Sequence, residues 1–596
     1  MKKFIKNTIF FISFPLFAVS EPKFLGKNLI SYDGFQDEKI LQYFEIRKSE
    51  GVSVFLDKDI KLSKTGSICI FLEKDNSYSN VLSPFIPIEE NKKYFFSVLF
   101  KQKWESKGYS YIGISSYPTI EWYDKDKKCI SSTINRSSLS GFPYGECDWN
   151  LRDAILTSPE NSKFARINIT ISNNSEKQTG KFIPSKLWID NLQLKEYIPV
   201  EDVRPIKDEM LFFPAIDEGF SGKGSIWCKV IDDKDAYKKK AIYIPKVEKK
   251  GIVFHSPYFP SLPEGLYRFE IRAKVNDIKE NINLGFVDIE SEKSGAKLFI
   301  EFNTDLFKKE GQYFSFKEDF IIREPGWWCI RVYTAGKNDW YIDDIKITPL
   351  LKFSDNDIVE IYPGIEGFVK EDIYPRKEKP LKVLTFKGLL YEDWCGDDIL
   401  KLIDENVGIK KIYFLSTMNT PKFDELPSSI EEIFDNNLII LNNINISAIP
   451  LMYKNYIKEY VKRGGNLIIS SGHLGYKKDI WENSFLRDIL PFEITDKIEF
   501  FRDGINLEKN EEFSFLKNID RNLVVYYVQN IKNLKEDTKI LINAKDYPFL
   551  VYRKYYQGNI FCFLGLNLGE KTNDGIPFWE WDGWKSLLKD LILSLK

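Results

Sequence analysis

The sequence predicts a multidomain protein in which two antiparallel β-sandwich domains precede a doubly wound α/β domain. Alternating apolar and polar residues recur through the first 350 positions, and the same short motifs occur there twice in the same order. After about residue 351, short apolar strands alternate with helical segments. Period-two alternation is typical of half-buried strands, and strands that alternate with helices form parallel sheets covered on both faces. The predicted domains cover residues 21–199, 204–350 and 351–596.

The N-terminus has the pattern of a secretory signal peptide over residues 1–20. Lysines at positions 2, 3 and 6 precede an apolar run from Ile9 to Val19, and Ala18-Val19-Ser20 fits a small-residue cleavage site. The alternative is a membrane anchor. A membrane span needs about 20 apolar residues, and the run from Ile9 to Val19 is shorter than that. We therefore expect no membrane span after cleavage, and a secreted, periplasmic or cell-surface location.

Composition argues against two classes of function. Acidic and basic residues number 87 and 85, so the chain lacks the basic surplus typical of nucleic-acid-binding proteins. The seven cysteines include no C-x-x-C pair, which argues against a zinc ribbon. Aromatic residues reach 15%. Such residues fill sandwich cores or, where exposed, can stack on sugar rings.

The first two segments alternate in the manner of sandwich strands and repeat the same motifs. Ile167, Ile169 and Ile171 share one face of a predicted strand, and Tyr267–Val275 alternates apolar with charged residues. The spacing from Ser83-Pro84 to Tyr94 equals that from Ser256-Pro257 to Tyr267, and the closing strands are Trp188–Leu192 and Tyr341–Ile345. This order indicates a tandem pair of related domains, joined by a linker at 198–205.

The third segment alternates strands with helices. Strands are predicted at 382–386, 411–415, 437–441, 466–470 and 559–564, and helices at 397–407, 450–463 and 584–595. Pro450 and Gly464-Gly465 flank the second helix as capping preferences expect. The aromatic run Phe578–Trp584 is predicted to lock the last helix against the sheet, with the lining of a pocket as the alternative.

Further short motifs accompany the repeats. They are an opening Asn28–Phe35, a Thr65-Gly66-Ser67 step, the Ser-Pro step before a Tyr-led strand, and a closing Ile-Asp-Asn or Ile-Asp-Asp strand. In this order they resemble carbohydrate-binding modules of the galactose-binding-like, jelly-roll type. The resemblance implies two β-sandwiches that bind a polysaccharide or other glycan, or that support a neighbouring domain.

The resemblance also implies a structural calcium ion near the start and the last strand of each module. The matching residues are Asp33 and Asp190 in the first domain, and Asp217 or Glu218 with Asp343 in the second. Carboxylate oxygens suit this ion. Gln36 stands where the family often has an acidic residue, which weakens the first site. The alternative is that these aspartates cap turns.

Sugar binding by such modules implies exposed aromatic rings. The candidates are Trp104, Tyr109, Tyr111, Trp122, Trp149, Tyr258, Trp327, Trp328 and Trp340. Each of them has the alternative of filling a sandwich core. Trp327 and Trp328 are adjacent in a predicted strand, so they face opposite ways and one of them could point outward.

In the third segment, Tyr460–Gly475 contains a helix end, a buried strand and a turn. It resembles the class I glutamine amidotransferase-like domain, which has a flavodoxin-like fold and, in active members, a nucleophilic Cys at this turn and an activating His farther along. Ser471 holds the position of the nucleophile, or Gly472 or His473 after a small shift, and no histidine follows His473. The resemblance therefore implies a degenerate nucleophile elbow without a Cys-His-Glu triad.

Other chemistry stays open in the third segment. Ser471 and His473 could form a dyad, and Cys395 follows the first strand among acidic neighbours that disfavour a thiolate. Acidic residues such as Asp393, Asp397 and Glu580 could serve a glycosidase, which needs two carboxyl groups about 5–10 Å apart. We favour an exported, non-catalytic, glycan-associated protein. The alternatives are a carbohydrate-active hydrolase and a structural surface protein.

Overall fold

A computed structural model shows how these segments fold. It describes residues 24–30, 38–62, 66–104, 114–133, 147–200, 211–214, 228–246, 250–256, 262–278, 281–291, 295–323, 328–353, 373–377, 381–388, 408–415, 422–423, 426–427, 430–470, 472, 475–510, 522–569 and 575–593. The predicted signal peptide and the predicted helix at 397–407 lie outside these residues. In the part of the chain that is described, no helix is both long and apolar enough to cross a membrane.

The first domain is a β-sandwich. Its strands are β1 (Leu25–Asn28), β2 (Glu45–Lys48), β3 (Val52–Asp57), β4 (Ser67–Leu72), β5 (Ser77–Leu82), β6 (Ile86–Pro87), β7 (Lys93–Trp104), β8 (Ile114–Tyr123), β9 (Cys129–Thr133), β10 (Cys147–Thr157), β11 (Phe164–Asn173) and β12 (Ser185–Tyr197). A 3₁₀ helix, Glu38–Tyr43, and a short helix α1, Ser175–Thr179, complete it. One sheet has the order β10-β7-β12-β4-β3 with β1 beside β12, and the other has β2-β5-β11-β8-β9 with β6 beside β11. Ile167, Ile169 and Ile171 enter the core between them, as the alternation predicts.

The second domain repeats this topology. Its strands are β13 (Leu211–Pro214), β14 (Lys229–Asp232), β15 (Lys240–Ile244), β16 (Gly251–His255), β17 (Gly265–Val275), β18 (Asn283–Ser291), β19 (Gly295–Asn303), β20 (Phe314–Ile322), β21 (Trp328–Thr334) and β22 (Trp340–Lys352). One sheet has the order β20-β17-β22-β15-β14 with β13 beside β22, which is the pattern of β10-β7-β12-β4-β3 with β1 beside β12. The other sheet, β16-β21-β18-β19, corresponds to β5-β11-β8-β9.

The recurring Ser-Pro motif makes the same contact in both sandwiches. The hydroxyl of Ser83 accepts a hydrogen bond from the backbone N–H of Ile167 at 2.9 Å, and that of Ser256 accepts one from Ile330 at 2.8 Å. Each serine N–H also donates to the carbonyl of the same isoleucine. Because the strand of the serine stops pairing here, its hydroxyl supplies the acceptor that the neighbouring strand still needs.

The third domain combines strands and helices. Its strands are β23 (Lys382–Lys387), β24 (Gly408–Leu415), β25 (Lys422–Phe423), β26 (Leu438–Asn442), β27 (Asn466–Ser470), β28 (Glu493–Lys509), β29 (Leu523–Lys532), β30 (Thr538–Ala544), β31 (Tyr547–Tyr555), β32 (Gly558–Phe563), β33 (Gly565–Leu566) and β34 (Ile576–Pro577). Its helices are α2 (Ile430–Phe434), α3 (Leu451–Lys462), α4 (Lys478–Glu482) and α5 (Trp584–Leu593), with 3₁₀ turns at Ile446–Ala448, Phe485–Ile489 and Phe578–Glu580.

The sheet of this domain has a parallel half and an antiparallel half. The order β24-β23-β26-β27-β32 is parallel throughout and contains the five strands that the sequence predicts. The sheet then continues through β31, β30, β28 and β29 with antiparallel pairing, which the sequence analysis did not predict. For β28 the physical reason is that this strand is largely exposed and rich in charge, so it lacks the apolar alternation that marks a half-buried strand.

The three domains pack against one another. The Tyr197 hydroxyl of the first domain donates to Asp319 of the second at 2.7 Å, and the Lys454 ammonium of the third lies 2.5 Å from Glu264 of the second. The backbone N–H of Leu426 donates to Asp148, which joins the third domain to the first. One hydrophobic cluster contains residues of all three domains.

Candidate functional site

Several predicted site residues lie outside the described part of the chain. They are Asp33, Tyr109, Tyr111, Asp217, Glu218, Tyr258, Trp327, Asp393, Cys395, Asp397, Ser471 and His473. Their assignments stay predictions.

The described tryptophans among the predicted ligand-binding residues lie in cores. Trp104, Trp122, Trp149, Trp328 and Trp340 are each no more than 4% exposed. Burial at this level leaves no ring face for a sugar, so their assignment to a binding surface is wrong and the core alternative holds. The reason is that an indole on an inward strand position gains more from apolar burial than a smaller side chain does.

The two described aspartates of the predicted calcium sites anchor loops. Asp190 accepts backbone hydrogen bonds from Leu62 at 2.8 Å and from Asn191 at 2.7 Å. Asp343 accepts one from Tyr237 at 2.7 Å, and its other oxygen lies 2.6 Å from the guanidinium of Arg272.

Asp190 and Asp343 therefore occupy equivalent positions in the two sandwiches. Each one ties the chain that leads into β4 or β15 to the closing strand. Burial raises the pKa of Asp343, while the Tyr237 N–H and the Arg272 charge oppose the rise.

These residues do not fit a calcium site by themselves. Calcium takes about 6–8 oxygen ligands, whereas the Asp190 oxygens face backbone N–H groups and one Asp343 oxygen faces a cation. Within the described residues, no three His, Cys, Asp or Glu side chains are grouped to hold a metal ion.

The predicted nucleophile elbow follows β27, at the carboxyl edge of the parallel strands. Ser470 ends that strand, donates to the side chain of Asn442 at 2.6 Å and accepts from the N–H of Asn443 at 3.2 Å. A Cβ atom at Gly472 would lie 2.0 Å from the Asn443 side chain, so position 472 has no room for a nucleophile.

The aromatic run near the C-terminus is structural. The ring centroids of Phe578 and Trp584 are 5.1 Å apart, and Trp584 lies 5.5 Å from Phe563 in β32. The run therefore locks α5 to the sheet, as predicted. Glu580, a candidate glycosidase carboxylate, is exposed beside this run.

The outward surface of the β16-β21-β18-β19 sheet, which we call the four-strand face, combines aromatic and polar side chains. Strand register places two rows across it. The first row contains Ile252, Tyr333, Phe286 and Glu301, and the second contains His255, Arg331 and Asp288. Val287, Ile289, Ile330 and Val332 alternate with these residues and enter the core.

The first row carries a partly exposed apolar platform. The rings of Phe286 and Tyr333 stack with centroids 4.0 Å apart and planes at 19°. Both rings are half-buried, and Ile252 beside them is 43% exposed. Stacked rings on a rigid sheet offer an apolar surface at little cost in conformational entropy.

The second row is held by one arginine. The Arg331 guanidinium donates to both oxygens of Asp288, at 2.9 Å and 2.7 Å, and its remaining terminal nitrogen contacts Glu290. Burial raises the pKa of Asp288 although the Arg331 charge opposes this. Burial also raises the pKa of Tyr333, so its hydroxyl is a neutral donor at physiological pH.

The corresponding surface of the first sandwich carries different chemistry. Where the second sandwich pairs Phe286 with Tyr333, the first pairs Tyr117 with Thr170. Thr170 donates to Asn80 at 2.7 Å, and Asn168 donates to Glu121 at 3.0 Å. This surface is rich in amides and hydroxyls that bond one another, so it provides a matched comparison for the four-strand face.

The aromatic candidates that the sequence suggested are tryptophans and three tyrosines, and they include neither Phe286 nor Tyr333 of the four-strand face. The signal was present in Phe286-Val-Asp288-Ile-Glu290 and in Arg331-Val-Tyr333, where aromatic and charged residues alternate with β-branched ones. Period two assigns the β-branched residues to one face, and their better fit to a sandwich core turns the others outward.

A comparison with family models agrees with the amidotransferase-like resemblance of the third segment. A family model described as putative glutamine amidotransferase matches residues 424–596. No curated protein matches the chain.

Among solved structures, a cytoplasmic protein from Salmonella typhimurium LT2 is 16% identical, over 36% of this chain and 100% of its own, with a TM-score of 0.30. A second cytoplasmic protein from Salmonella typhimurium is 20% identical, over 36% of this chain and 98% of its own, also with a TM-score of 0.30. The N-terminal CBM22-1-CBM22-2 tandem domain from Paenibacillus barcinonensis Xyn10C is 11% identical, over 55% and 99%, with a TM-score of 0.22. Carbohydrate-binding β-sandwich modules are the structural neighbours of the N-terminal region.

Proposed function

We propose that this is an exported, non-catalytic protein that binds a glycan on the four-strand face of its second sandwich. The observation that carries the proposal is the stacked Phe286–Tyr333 pair beside the Arg331–Asp288 ion pair. Sugar rings present apolar C–H faces and a rim of hydroxyl groups. A surface that joins an aromatic platform to fixed donors and acceptors matches both features.

The geometry supports a shallow, extended site. The first row runs across four strands and the second across three of them, and neighbouring strands lie about 4.8 Å apart, so the face spans several sugar units. The Arg331 nitrogens and the Asp288 oxygens hold each other in place. Their orientation is therefore fixed before a ligand arrives, which lowers the entropic cost of binding.

Affinity electrophoresis in gels that contain soluble polysaccharides tests this site. We expect at least one polysaccharide to retard the protein, and Phe286→Ala and Tyr333→Ala to weaken binding about tenfold, a loss of about 1.4 kcal/mol. Tyr78→Ala is the matched control, because Tyr78 is 48% exposed on the first sandwich. Binding that survives both ring substitutions, or no retardation by any polysaccharide, contradicts the proposal.

For the third domain we propose a flavodoxin-like fold without amidotransferase activity. The strand order β24-β23-β26-β27-β32 is second, first, third, fourth and fifth along the chain, which supports such a fold. The absence of any histidine after His473 supports the lack of a triad. Incubation with glutamine should release no ammonia above a heat-denatured control, and release that Ser471→Ala abolishes would contradict the proposal.

Export is a separate part of the proposal. It is supported by the lysines, apolar run and small residues of positions 1–20. N-terminal sequencing of the protein from its native host should find a mature chain that begins near residue 21. If the protein occurs only in the cytoplasm and keeps its N-terminal methionine, the proposal of export is wrong.

A further inference from the structure

The hydroxyl group of Tyr333 differs from four other tyrosine hydroxyls of the second sandwich. Those four form hydrogen bonds of 2.7–3.1 Å with protein groups, and they belong to Tyr243, Tyr267, Tyr313 and Tyr341. No described residue forms a hydrogen bond with the Tyr333 hydroxyl, and the Tyr333 side chain is half-buried on the four-strand face. A hydroxyl group both donates and accepts, so this one keeps its full capacity for a ligand or for water.

The ring of Tyr333 has a neighbour on each side. Phe286 stacks on one face with the ring centroids 4.0 Å apart, and the Arg331 guanidinium lies over the Tyr333 ring at 5.7 Å from its centroid. Two rings at this separation are in van der Waals contact, so the guanidinium lies on the other side of Tyr333. The part of Tyr333 that remains for a ligand is therefore its edge, which ends in the hydroxyl group.

The neighbours of this ring also fix its position. Arg331 donates to both oxygens of Asp288, so the guanidinium beside the ring is itself anchored. Tyr333 is in register with Phe286 on one adjacent strand and with Ile252 on the other. A hydrogen-bonding group that is held in place before the ligand arrives favours the sugar whose own hydroxyl meets it, because reorienting the ring for another sugar would disturb these contacts.

The first sandwich lacks such a group at the equivalent position. Thr170 stands there in register with Tyr117, as Tyr333 stands in register with Phe286. The Thr170 hydroxyl donates to the side chain of Asn80 at 2.7 Å. The open hydroxyl is thus a property of the second sandwich and not of the shared topology.

We infer that Tyr333 is the residue by which the four-strand face distinguishes glycans that differ in one hydroxyl group. This inference rests on the proposed function, since it assigns the specificity of the same site. The Tyr333 hydroxyl forms a hydrogen bond with one sugar hydroxyl, whereas Phe286 has no polar group and contacts C–H groups that all such glycans share. Loss of the Tyr333 oxygen therefore affects the choice between ligands, and loss of either ring affects binding of all of them.

Isothermal titration calorimetry on the full-length mature chain tests this inference with three β-1,4-linked hexasaccharides. Cellohexaose and mannohexaose differ only in the orientation of one hydroxyl group on each sugar, and xylohexaose lacks the hydroxymethyl groups. We expect the preferred hexasaccharide to bind about two- to tenfold more tightly than the weakest one, which is the range of one hydrogen bond.

A single-atom substitution assigns the preference to the hydroxyl. Tyr333→Phe keeps the ring, and it should bring the three affinities within about twofold of one another by weakening the preferred ligand. Tyr527→Phe is the matched control, because Tyr527 stacks on Phe500 in the third domain with centroids 4.8 Å apart. It removes the same atom from a similar ring pair outside the four-strand face and should leave all three affinities unchanged.

The outcomes separate this inference from the proposed function. A Tyr333→Phe variant that keeps the wild-type preference overturns the inference, and so does an equal loss for all three hexasaccharides, which would indicate that the hydroxyl only supports ring packing. Equal wild-type affinities, or no binding of any hexasaccharide, overturn it as well. In each case the proposed function stands if Phe286→Ala and Tyr333→Ala weaken binding in the affinity gels. If no polysaccharide binds in those gels either, both are wrong.

Discussion

The ammonium group of Lys454 lies 2.5 Å from the carboxylate of Glu264, across the interface between the third domain and the second sandwich. Both side chains are at most 2% exposed. Glu264 also accepts a hydrogen bond from the backbone N–H of Phe485, so one carboxylate holds both α3 and the 3₁₀ turn Phe485–Ile489. One buried acid therefore joins the two domains at two points, beside the apolar contacts of the hydrophobic cluster that they share.

Replacing that acid should separate the two domains or destabilise them together. We expect Glu264→Ala to lower the free energy of unfolding by about 3–5 kcal/mol, because it leaves a buried ammonium group uncompensated. Urea unfolding followed by tryptophan fluorescence measures this change. The double variant Glu264→Gln with Lys454→Met should recover part of the loss. A single variant as stable as the wild type would show that the two domains do not meet at this pair.

The carboxylate of Asp343 should matter for stability whether or not calcium is present. Asp343→Asn is expected to cost about 1–3 kcal/mol, because Arg272 loses a charged partner and the Tyr237 N–H keeps only a neutral acceptor. Thermal unfolding of both proteins, with a chelator and with added calcium, measures the difference. A wild-type melting temperature that rises with calcium, and does not rise in the variant, would contradict the loop-anchor role.

The Asp233–Lys274 pair should make the stability of the second sandwich depend on pH in the acidic range. Burial raises the pKa of Asp233, but hydrogen bonds from Lys274, from the N–H of Asp235 and from Tyr313 outweigh it, so the pKa is lowered. A carboxyl group whose pKa is lowered by folding stabilises the fold above its unfolded pKa of about 3.9, and this contribution is lost as the pH falls through the folded pKa.

Comparison of Asp233→Asn with the wild type at two pH values tests this linkage. The variant should be less stable than the wild type at neutral pH, and the difference in urea midpoint should shrink as the pH falls below about 3.9 and through the folded pKa, because the wild-type carboxyl group then becomes protonated. Lys74→Ala removes an exposed ion pair with Glu50 and serves as a control with little effect at either pH. A difference that does not depend on pH would show that the ion pair is not the cause.

A substitution of Trp122 tests whether this side chain belongs to the core or to the glycan-binding surface. It is fully buried, and its indole nitrogen has no hydrogen-bond partner among the described residues. Trp122→Phe should therefore cost only cavity and packing energy, about 1–3 kcal/mol in chemical unfolding. Glycan affinity measured in the same gels should not change. A Trp122→Phe variant that folds but no longer binds the glycan would show that Trp122 belongs to the binding surface.

The sequence by itself determined that two related sandwich domains occur in tandem and share the same short motifs. The Ser-Pro step and the closing Ile-Asp motif recur in order, and each makes the same contact in both sandwiches. The alternation of apolar and polar residues predicts strands because the two faces of a strand are set by neighbours in the chain. The lack of a downstream histidine is likewise a property of the sequence.

Only the tertiary structure decided which residues face outward and what they meet. Alternation divides a strand such as Asn283–Ser291 into two faces, but both faces contain apolar groups, and the packing of the opposite sheet selects the inner one. That selection buried the tryptophans and exposed the rings of Phe286 and Tyr333. The pairing of Lys454 with Glu264 joins positions 190 residues apart, and no local pattern encodes such a distance.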